Sequence, residues 1–286
     1  MTDRFDTGVE NAWCPGCGNF GILRAVKKAL EATGRERHEI VLVSGIGQAA
    51  KLPHYVDVNV FNGLHGRALP AAAAIKMANP ALSVVVTSGD GDIYGEGGNH
   101  FLHSIRRNVD LALFVHDNQV YGLTKGQPSP TSDPGWAGSL ARSGVISGPF
   151  PPLAAALALG CGFVARGYAG DIDFTADLML QAIRFPGFAL VDILQPCVTF
   201  NRKNTWQWYG KQVARIPETH DPSDRKRAFD LAMEWEERIP VGVLYRVERP
   251  TFGQLHPAAP GPPLHAREPS ADAVRELLSR RTITAP

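Results

Sequence analysis

Residues 84–126 read VVVTSGDGDIYGEGGNHFLHSIRRNVDLALFVHDNQVYGLTKG. The apolar, β-branched run at 82–87 has the character of a parallel strand buried on both faces. It breaks into Ser88-Gly89-Asp90-Gly91-Asp92, where glycines strip side-chain bulk from around a carboxylate. A polar, Gly-rich loop follows, then a helical pattern at about 100–107 and a second buried run at 111–115, which ends in His116-Asp117-Asn118-Gln119. Two strands thus deliver oxygen-bearing side chains at their carboxyl ends, where open α/β sheets bind ligands. Asp90 and Asn118 are 28 positions apart, a length that suits one strand–helix–strand unit. Further apolar runs at 40–43, 163–165 and 188–194, with helical patterns between them, predict an α/β fold: a mostly parallel sheet with helices on both faces.

A carboxylate, an amide oxygen and a nearby backbone carbonyl, completed by phosphate oxygens, form the hard octahedral donor set that Mg²⁺ prefers. Bare glycines let backbone N–H groups approach a diphosphate. Gly-Asp-Gly alone is also an ordinary turn; with an Asn at the end of the next strand it resembles the thiamine-diphosphate-binding motif. More narrowly, residues 97–131, GGNHFLHSIRRNVDLALFVHDNQVYGLTKGQPSPT, are similar to the β subunit of the 2-oxoacid:ferredoxin oxidoreductases. The resemblance covers residues 13–201, with a weaker echo at 238–251. It implies the thiamine-diphosphate-binding fold, with Mg²⁺ held by Asp90, Asn118 and the Val120 carbonyl. Cofactor contacts would come from Gly45, Ile46 and Gly47, from His65, Gly66 and Arg67, and from Gly89, Asp90, Gly91 and Asp92. Asn118, Val120, Gly122, Leu123 and Thr124 would complete them.

Working outward, Cys14-Pro15-Gly16-Cys17-Gly18 opens a helical pattern. A Cys-x-x-Cys at such a junction reads as a redox dithiol, half of a zinc site or half of an iron–sulfur site. In the family resembled it supplies two ligands of a 4Fe–4S cluster, and the cysteine of Gln195-Pro196-Cys197 supplies another. The remaining cluster cysteine is expected directly after Ser44-Gly45-Ile46-Gly47, where this chain has Gln48. A zinc site of three thiolates and a histidine is the chemical alternative. Cys161, between small apolar neighbours, reads as a core residue.

Two residues stand out as candidates for catalysis. His65 precedes an Ala-rich helix at 69–77 and serves either a ligand or a structural loop hydrogen bond; Arg67 beside it serves a diphosphate or a subunit salt bridge. Lys125 is the cation just past the cofactor motif, suited to the distal carboxylate of a substrate or a coenzyme A phosphate, against the alternative of a solvated surface lysine. The resemblance places the glutamate that activates the aminopyrimidine on a companion α chain, so this chain alone is expected to be inactive. It further implies ferredoxin as electron acceptor, coenzyme A and a 2-oxoacid such as pyruvate or 2-oxoglutarate as substrates, and an (αβ)₂ assembly. A non-oxidative thiamine-dependent decarboxylase subunit and a metal-stapled, non-catalytic paralogue are the competing readings.

The bulk numbers set outer bounds. The 286 residues can bury a large core, and a formal net charge of +1 argues against the electrostatic footprint of a nucleic-acid binder, which needs a basic face. No apolar run approaches the ~20 residues that cross a bilayer, and no apolar N-terminal leader is present, so a cytoplasmic, soluble protein with reduced thiols is expected. Residues 1–201 are read as the cofactor-binding domain with its Cys-x-x-Cys segment, and 202–286 as a C-terminal extension packing on the core or a partner chain. Within the extension, Trp206, Trp208 and Tyr209 are expected to face a partner chain, a helix is expected at 224–238, and residues 256–263 read as a linker. The first twelve residues read as a polar arm.

Overall fold

The computed structural model describes residues 4–138, 140–235, 237–256, 261–268 and 270–281. Helix α1 (Asn19–Ala32) leads into β1 (Ile40–Ser44) and β2 (Asn59–Asn62). Next come α2 (Ala68–Ala78), β3 (Ser83–Gly89), α3 (Gly98–Arg107) and β4 (Leu111–Asp117). A small hairpin of β5 (Val120–Tyr121) and β6 (Gln127–Pro128) follows, then α4 (Pro152–Ala158), β7 (Phe163–Tyr168), α5 (Ile172–Arg184) and β8 (Phe188–Leu194). The C-terminal part adds α6 (Trp206–Gln212), β9 (Val213–Arg215), α7 (Arg225–Met233), β10 (Ile239–Arg246), α8 (Phe252–Leu255) and α9 (Ala271–Ser279).

Among the described residues one eight-stranded sheet runs in the order β2-β1-β3-β4-β8-β7-β10-β9. Every pairing is parallel except β10 on β7. The strands read as continuous apolar runs because both faces are covered. Val84, Val86, Leu113, Val115 and Leu190 pack beneath α2, α3, α4 and α7. Their alternates Val85, Ala112, Phe114, Val191 and Ile193 pack beneath α1 and α5. That period-two division is the strand geometry read out on two separate cores.

Several boundaries differ from the sequence reading. Strand β3 runs on through Gly89, and the stretch read as a loop after it is a π-helical turn, Gly91–Glu96. Such wide turns mark functional sites. Here Gly91 is needed because a Cβ on it would come 2.3 Å from the Tyr121 ring. The helix expected at 224–238 ends at Met233: Glu234 turns extended, and Trp235 folds inward to stack near Trp208 at 6.1 Å. The N-terminal arm is pinned rather than free, since Phe5 is fully buried and its carbonyl accepts the Asp57 N–H at 2.9 Å. The aromatic cluster expected on a partner chain packs on its own: Tyr209 is wholly buried with Leu194, Ile239 and Val241. Those residues belong to β8 and β10, so the extension contributes to the sheet itself. Part of the expected linker, residues 257–260, lies outside the described residues.

Candidate functional site

Register brings the chemistry to one edge. Gly89 pairs with His116, and Asp117 with Leu194. The residues that follow β3, β4 and β8 therefore emerge side by side at the carboxyl ends of three adjacent strands. Asp90 is 1% exposed. Its Oδ2 accepts the Ser129 hydroxyl at 2.5 Å and the Thr131 hydroxyl at 2.7 Å, leaving Oδ1 without a side-chain donor among the described residues. Asn118 is also buried; its Oδ1 accepts the Val120 N–H at 2.9 Å, which fixes the side chain against the Gln119–Val120 peptide.

Asp92 is the organising carboxylate rather than a second free oxygen donor. Oδ1 accepts the backbone N–H of Ile46 at 3.1 Å and of Gly66 at 2.7 Å, and Oδ2 accepts the Ser88 hydroxyl at 2.8 Å. One side chain thereby ties together the turn after β1, the loop before α2 and the end of β3. A Cβ at Gly45 would lie 2.0 Å from Asp92 Oδ2, so only glycine permits that approach. His65 Nδ1 sits 2.9 Å from Asp92 and 3.4 Å from Glu96, within ion-pair range but not aligned for a hydrogen bond. The Tyr121 hydroxyl donates to Glu96 Oε2 at 3.1 Å. Arg67 directs its guanidinium at the carbonyls of His65, Gly66 and Glu96 at 3.3–3.4 Å, so it closes its own loop.

Over this edge three glycines face space rather than protein. A Cβ on Gly47 (φ +129) would meet nothing within 4 Å, and on Gly89 or Gly122 only one ordinary contact, at 3.8 Å. That cradle, with a buried carboxylate and an amide at its floor, fits a diphosphate and a hard divalent cation. Leu123 and Lys125 are exposed on the turn beyond it, and Thr124 donates to Gln127 Oε1 at 2.5 Å. Lys125 itself takes the left-handed conformation (φ 72), uncommon for a residue with a Cβ. It lines a cleft of about 670 Å³ with Trp136, Phe200, Arg202 and Lys203. A cavity of about 1040 Å³ opens at the opposite edge of the sheet, near Leu82, Leu111 and Phe252.

Beside the cradle, the turn that carries Cys14 and Cys17 touches the loop that carries Cys197. Cys17 N–H donates to the Cys14 carbonyl at 3.0 Å, closing a tight turn, and Gly18 N–H reaches the Pro196 carbonyl at 3.2 Å. A Cβ on Gly18 would lie 2.7 Å from the Gln195 side chain, so glycine lets the two loops touch. Gln195 Nε2 donates to Cys17 Sγ at 3.4 Å and Thr199 to Cys14 Sγ at 3.2 Å. Burial pushes the Cys17 thiol up to about 11, with Cys197 and Cys14 adding like charge. The loop is also braced by Trp206, whose Nε1 donates to the Gly16 carbonyl at 2.9 Å. Helix α1 is fixed to the sheet by Asn19, whose Oδ1 meets His116 Nδ1 at 2.7 Å. Burial drops His116 to about 3, so it stays neutral and structural. Cys161 is a core residue on the far face. Among the described residues no three His, Cys, Asp or Glu side chains are spaced to hold one metal ion.

What the sequence reading does not single out is the polar network under Asp90. Thr131 also lies 2.7 Å from Asp117 Oδ1. Burial raises the carboxyls of Asp90 and Asp117, with Asp192 and Asp90 adding to the rise at Asp117. Asp192 is raised to about 6 by burial, while the Tyr94 hydroxyl, 2.7 Å away, and Arg166 pull it down. Asp133 accepts from Trp235 Nε1 at 3.1 Å and Asn204 at 3.3 Å, and pairs with Lys203 at 2.9 Å, knitting the extension to the Ser129–Thr131 loop. Gln119 (φ 60) completes it through the Thr131 carbonyl. The signal for this network in the sequence is the run Ser129-Pro130-Thr131-Ser132-Asp133, with its hydroxyl and carboxylate spacing.

Residues 41–193 match the family described as thiamine pyrophosphate enzyme, C-terminal TPP binding domain. Residues 197–260 match a second family, the C-terminal part of the pyruvate ferredoxin oxidoreductase beta subunit. A 2-oxoacid:ferredoxin oxidoreductase subunit beta of Sulfolobus sp is 44% identical over 251 residues, 83% of this chain and 82% of that protein. Its counterpart from Saccharolobus solfataricus is 41% identical, covering 96% of this chain and 97% of that one. Among solved structures, the 2-oxoglutarate:ferredoxin oxidoreductase from Magnetococcus marinus, with 2-oxoglutarate, coenzyme A and succinyl-CoA bound, superposes with a TM-score of 0.86 at 37% identity. That superposition covers 96% of this chain and 89% of the other. Similarity of this extent over nearly the whole length, on a chain whose own sheet edge presents the oxygen cradle, establishes that it belongs to the family of 2-oxoacid:ferredoxin oxidoreductase β subunits.

Proposed function

We propose that this chain, with an α partner, catalyses oxidative decarboxylation of a 2-oxoacid to its acyl-coenzyme A thioester and passes the electrons to ferredoxin. The observation that carries the reading is the open glycine cradle with buried Asp90 and Asn118 at its floor, beside which the Cys14–Cys17 turn touches the Cys197 loop. Asp90, Asn118 and the Val120 carbonyl would hold Mg²⁺; Gly47, Gly89 and Gly122 would admit the diphosphate; Cys14, Cys17 and Cys197 would hold an iron–sulfur cluster. Thiamine diphosphate, when bound, supplies the nucleophilic carbon and electron sink that the side chains lack.

The chain's own residues then have defined tasks. Ser129 and Thr131 fix the Asp90 carboxylate before any cation arrives. Asp92 holds the three loops at the spacing the cradle needs. His65, with Nδ1 near the Asp92 and Glu96 carboxylates, lines the loop that would lie beside the diphosphate. Lys125, with Arg202 in the same cleft, supplies positive charge for a carboxylate or for a phosphate of coenzyme A. Glu96 is engaged with Tyr121, which leaves activation of the cofactor to a carboxylate of the α chain, and an (αβ)₂ assembly would bury the cradle between subunits. The test is thermal melting of the co-purified complex with thiamine diphosphate and Mg²⁺, where saturation at ~100 times Kd stabilises by about 2.7 kcal/mol, combined with 2-oxoacid-dependent dye reduction. Turnover by the isolated β chain, or no shift for the complex, overturns the proposal.

A further inference from the structure

The cavity at the opposite edge of the sheet has no part in the chemistry proposed above. It measures about 1040 Å³ and opens where β3, β4 and β8 begin, lined by Leu82, Leu111, Phe185, Phe252 and Met77. Small-molecule pockets run to roughly 300–1,000 Å³, so it has room for an organic ligand. One wall is built in place. Asn108 (φ 53) donates to the Arg249 and Pro250 carbonyls at 3.0 and 3.1 Å, and its own carbonyl accepts the Phe252 N–H at 3.1 Å. A capping box of Thr251 and Gln254 then holds α8 against the cavity. The lining is apolar, yet its charge is one-sided. Arg184, in the last turn of α5, donates to the Ala32 carbonyl at 2.8 Å, and Arg35 donates to the Ala81 carbonyl at 3.1 Å. Both line the cavity, at either end of the turn that leaves α1, and Arg267 lines it too. A guanidinium carries several N–H donors, and among the described residues neither Arg35 nor Arg184 meets a carboxylate. Asp110 is the one acid among the described lining residues, and Lys76 pairs with it at 2.8 Å.

We infer that this cavity binds a carboxylate carried on an apolar tail, a free fatty acid of medium chain length. The carboxylate meets Arg35 and Arg184, whose charge no protein acid answers, and the tail lies among Leu82, Leu111, Phe185 and Phe252. A neutral apolar molecule would leave the guanidiniums without a counter-charge. A small polar anion would leave the apolar walls wet. The site is separate from the cofactor edge: β3 and β4 are seven residues long, which at ~3.3 Å per residue sets the two edges about 20 Å apart. A fatty acid bound here does not compete with thiamine diphosphate.

The test is calorimetric titration of the αβ complex with decanoate, octanoate and decanol, with and without thiamine diphosphate and Mg²⁺. Expected is one saturable decanoate site per copy of this chain, with the same affinity whether or not the cofactor is present. Octanoate should bind more weakly by about threefold to fourfold for each methylene lost. Decanol, which lacks the charge, should bind at least about tenfold more weakly than decanoate. Arg184→Gln should weaken decanoate about tenfold and leave decanol unchanged. Ala74→Trp, at an exposed position of α2 that lines the cavity, should abolish binding of both. Arg184 and Ala74 are exposed and far from the cradle, so melting temperature and 2-oxoacid turnover should hold in both variants. If a variant fails to fold, the three ligands on the wild-type complex decide alone. No saturable binding, equal affinity for decanoate and decanol, or undiminished binding to Ala74→Trp overturns the inference. Competition with thiamine diphosphate overturns it too, by placing the carboxylate at the cradle. None of these readouts depends on the oxidoreductase reading.

Discussion

Thr131 shows how much of the site rests on residues that touch no ligand. Its hydroxyl oxygen lies 2.7 Å from both the Asp90 and the Asp117 carboxylates. A hydroxyl has a single proton to donate, so two ionised carboxylates cannot both be satisfied by it. Thr131→Val keeps the shape and removes the hydroxyl; Mg²⁺ and thiamine diphosphate binding, measured by calorimetry on the complex, should weaken by roughly tenfold or more, the usual effect of losing an outer-shell partner. Deeper in the same network, Asp192 is raised to about 6. A carboxyl raised on folding contributes stability that is complete below the unfolded value of about 4, and that stability is lost as pH rises through about 6. Asp192→Asn should flatten the melting temperature between pH 4 and 6, removing at most about 3 kcal/mol of pH-dependent stability. An unchanged slope would locate that dependence elsewhere.

Element by element, legibility follows burial. Helix α5 and strand β8 fall where the sequence reading puts them, and β3, β4 and α2 within two residues, because continuous apolar runs and helical spacing are local signals. Strand β2 leaves no such trace: all four of its residues are exposed, so it carries no inside–outside pattern. Strand β9 is three residues long and owes its existence to β10. The π-helical turn reads as a loop since its glycines signal flexibility locally, while the Tyr121 ring that shapes it arrives from another strand. At this edge, the placing of Asp90, Asn118 and Cys197 just past neighbouring strands is legible from the buried runs that precede them. The clamp from Ser129 and Thr131 is not, because the irregular stretch at 128–152 says nothing of where it folds back. Glycine substitutions separate cradle from scaffold. Gly89→Ala meets only the Ala49 methyl at 3.8 Å, so the melting temperature should hold while thiamine diphosphate affinity falls at least about tenfold. Gly45→Ala drives a methyl into Asp92 and should cost stability as well, by about 1–3 kcal/mol.

For the molecule as a whole, the last third of the chain is structural. Strand β10 pairs along β7, Arg166 of β7 donates to the Pro240 and Ala232 carbonyls, and Asp133 anchors Trp235 and Lys203. A chain cut after residue 201 should therefore lose cooperative melting and aggregate through the bared edge of β7. A cut after residue 256 keeps β10 and the Asn108 bonds to the Arg249 and Pro250 carbonyls, and should melt as the full chain does. Equal behaviour of the two truncations would contradict this division of labour. Strand order has a further consequence for how the protein is made. The sheet's centre joins residues 111–117 to residues 188–194, and the thiol that completes the cysteine group comes just after. At ribosomal speeds of ~5–20 residues per second, Cys197 follows Cys17 out by roughly ten to forty seconds. For most of that interval, until Cys161 emerges on its way to the core, a nascent chain carries only the Cys14–Cys17 dithiol. On the proposed reading, a metal centre built on all three thiols cannot assemble before β8 and the loop after it are made, so its timing is set by the order in which the strands emerge.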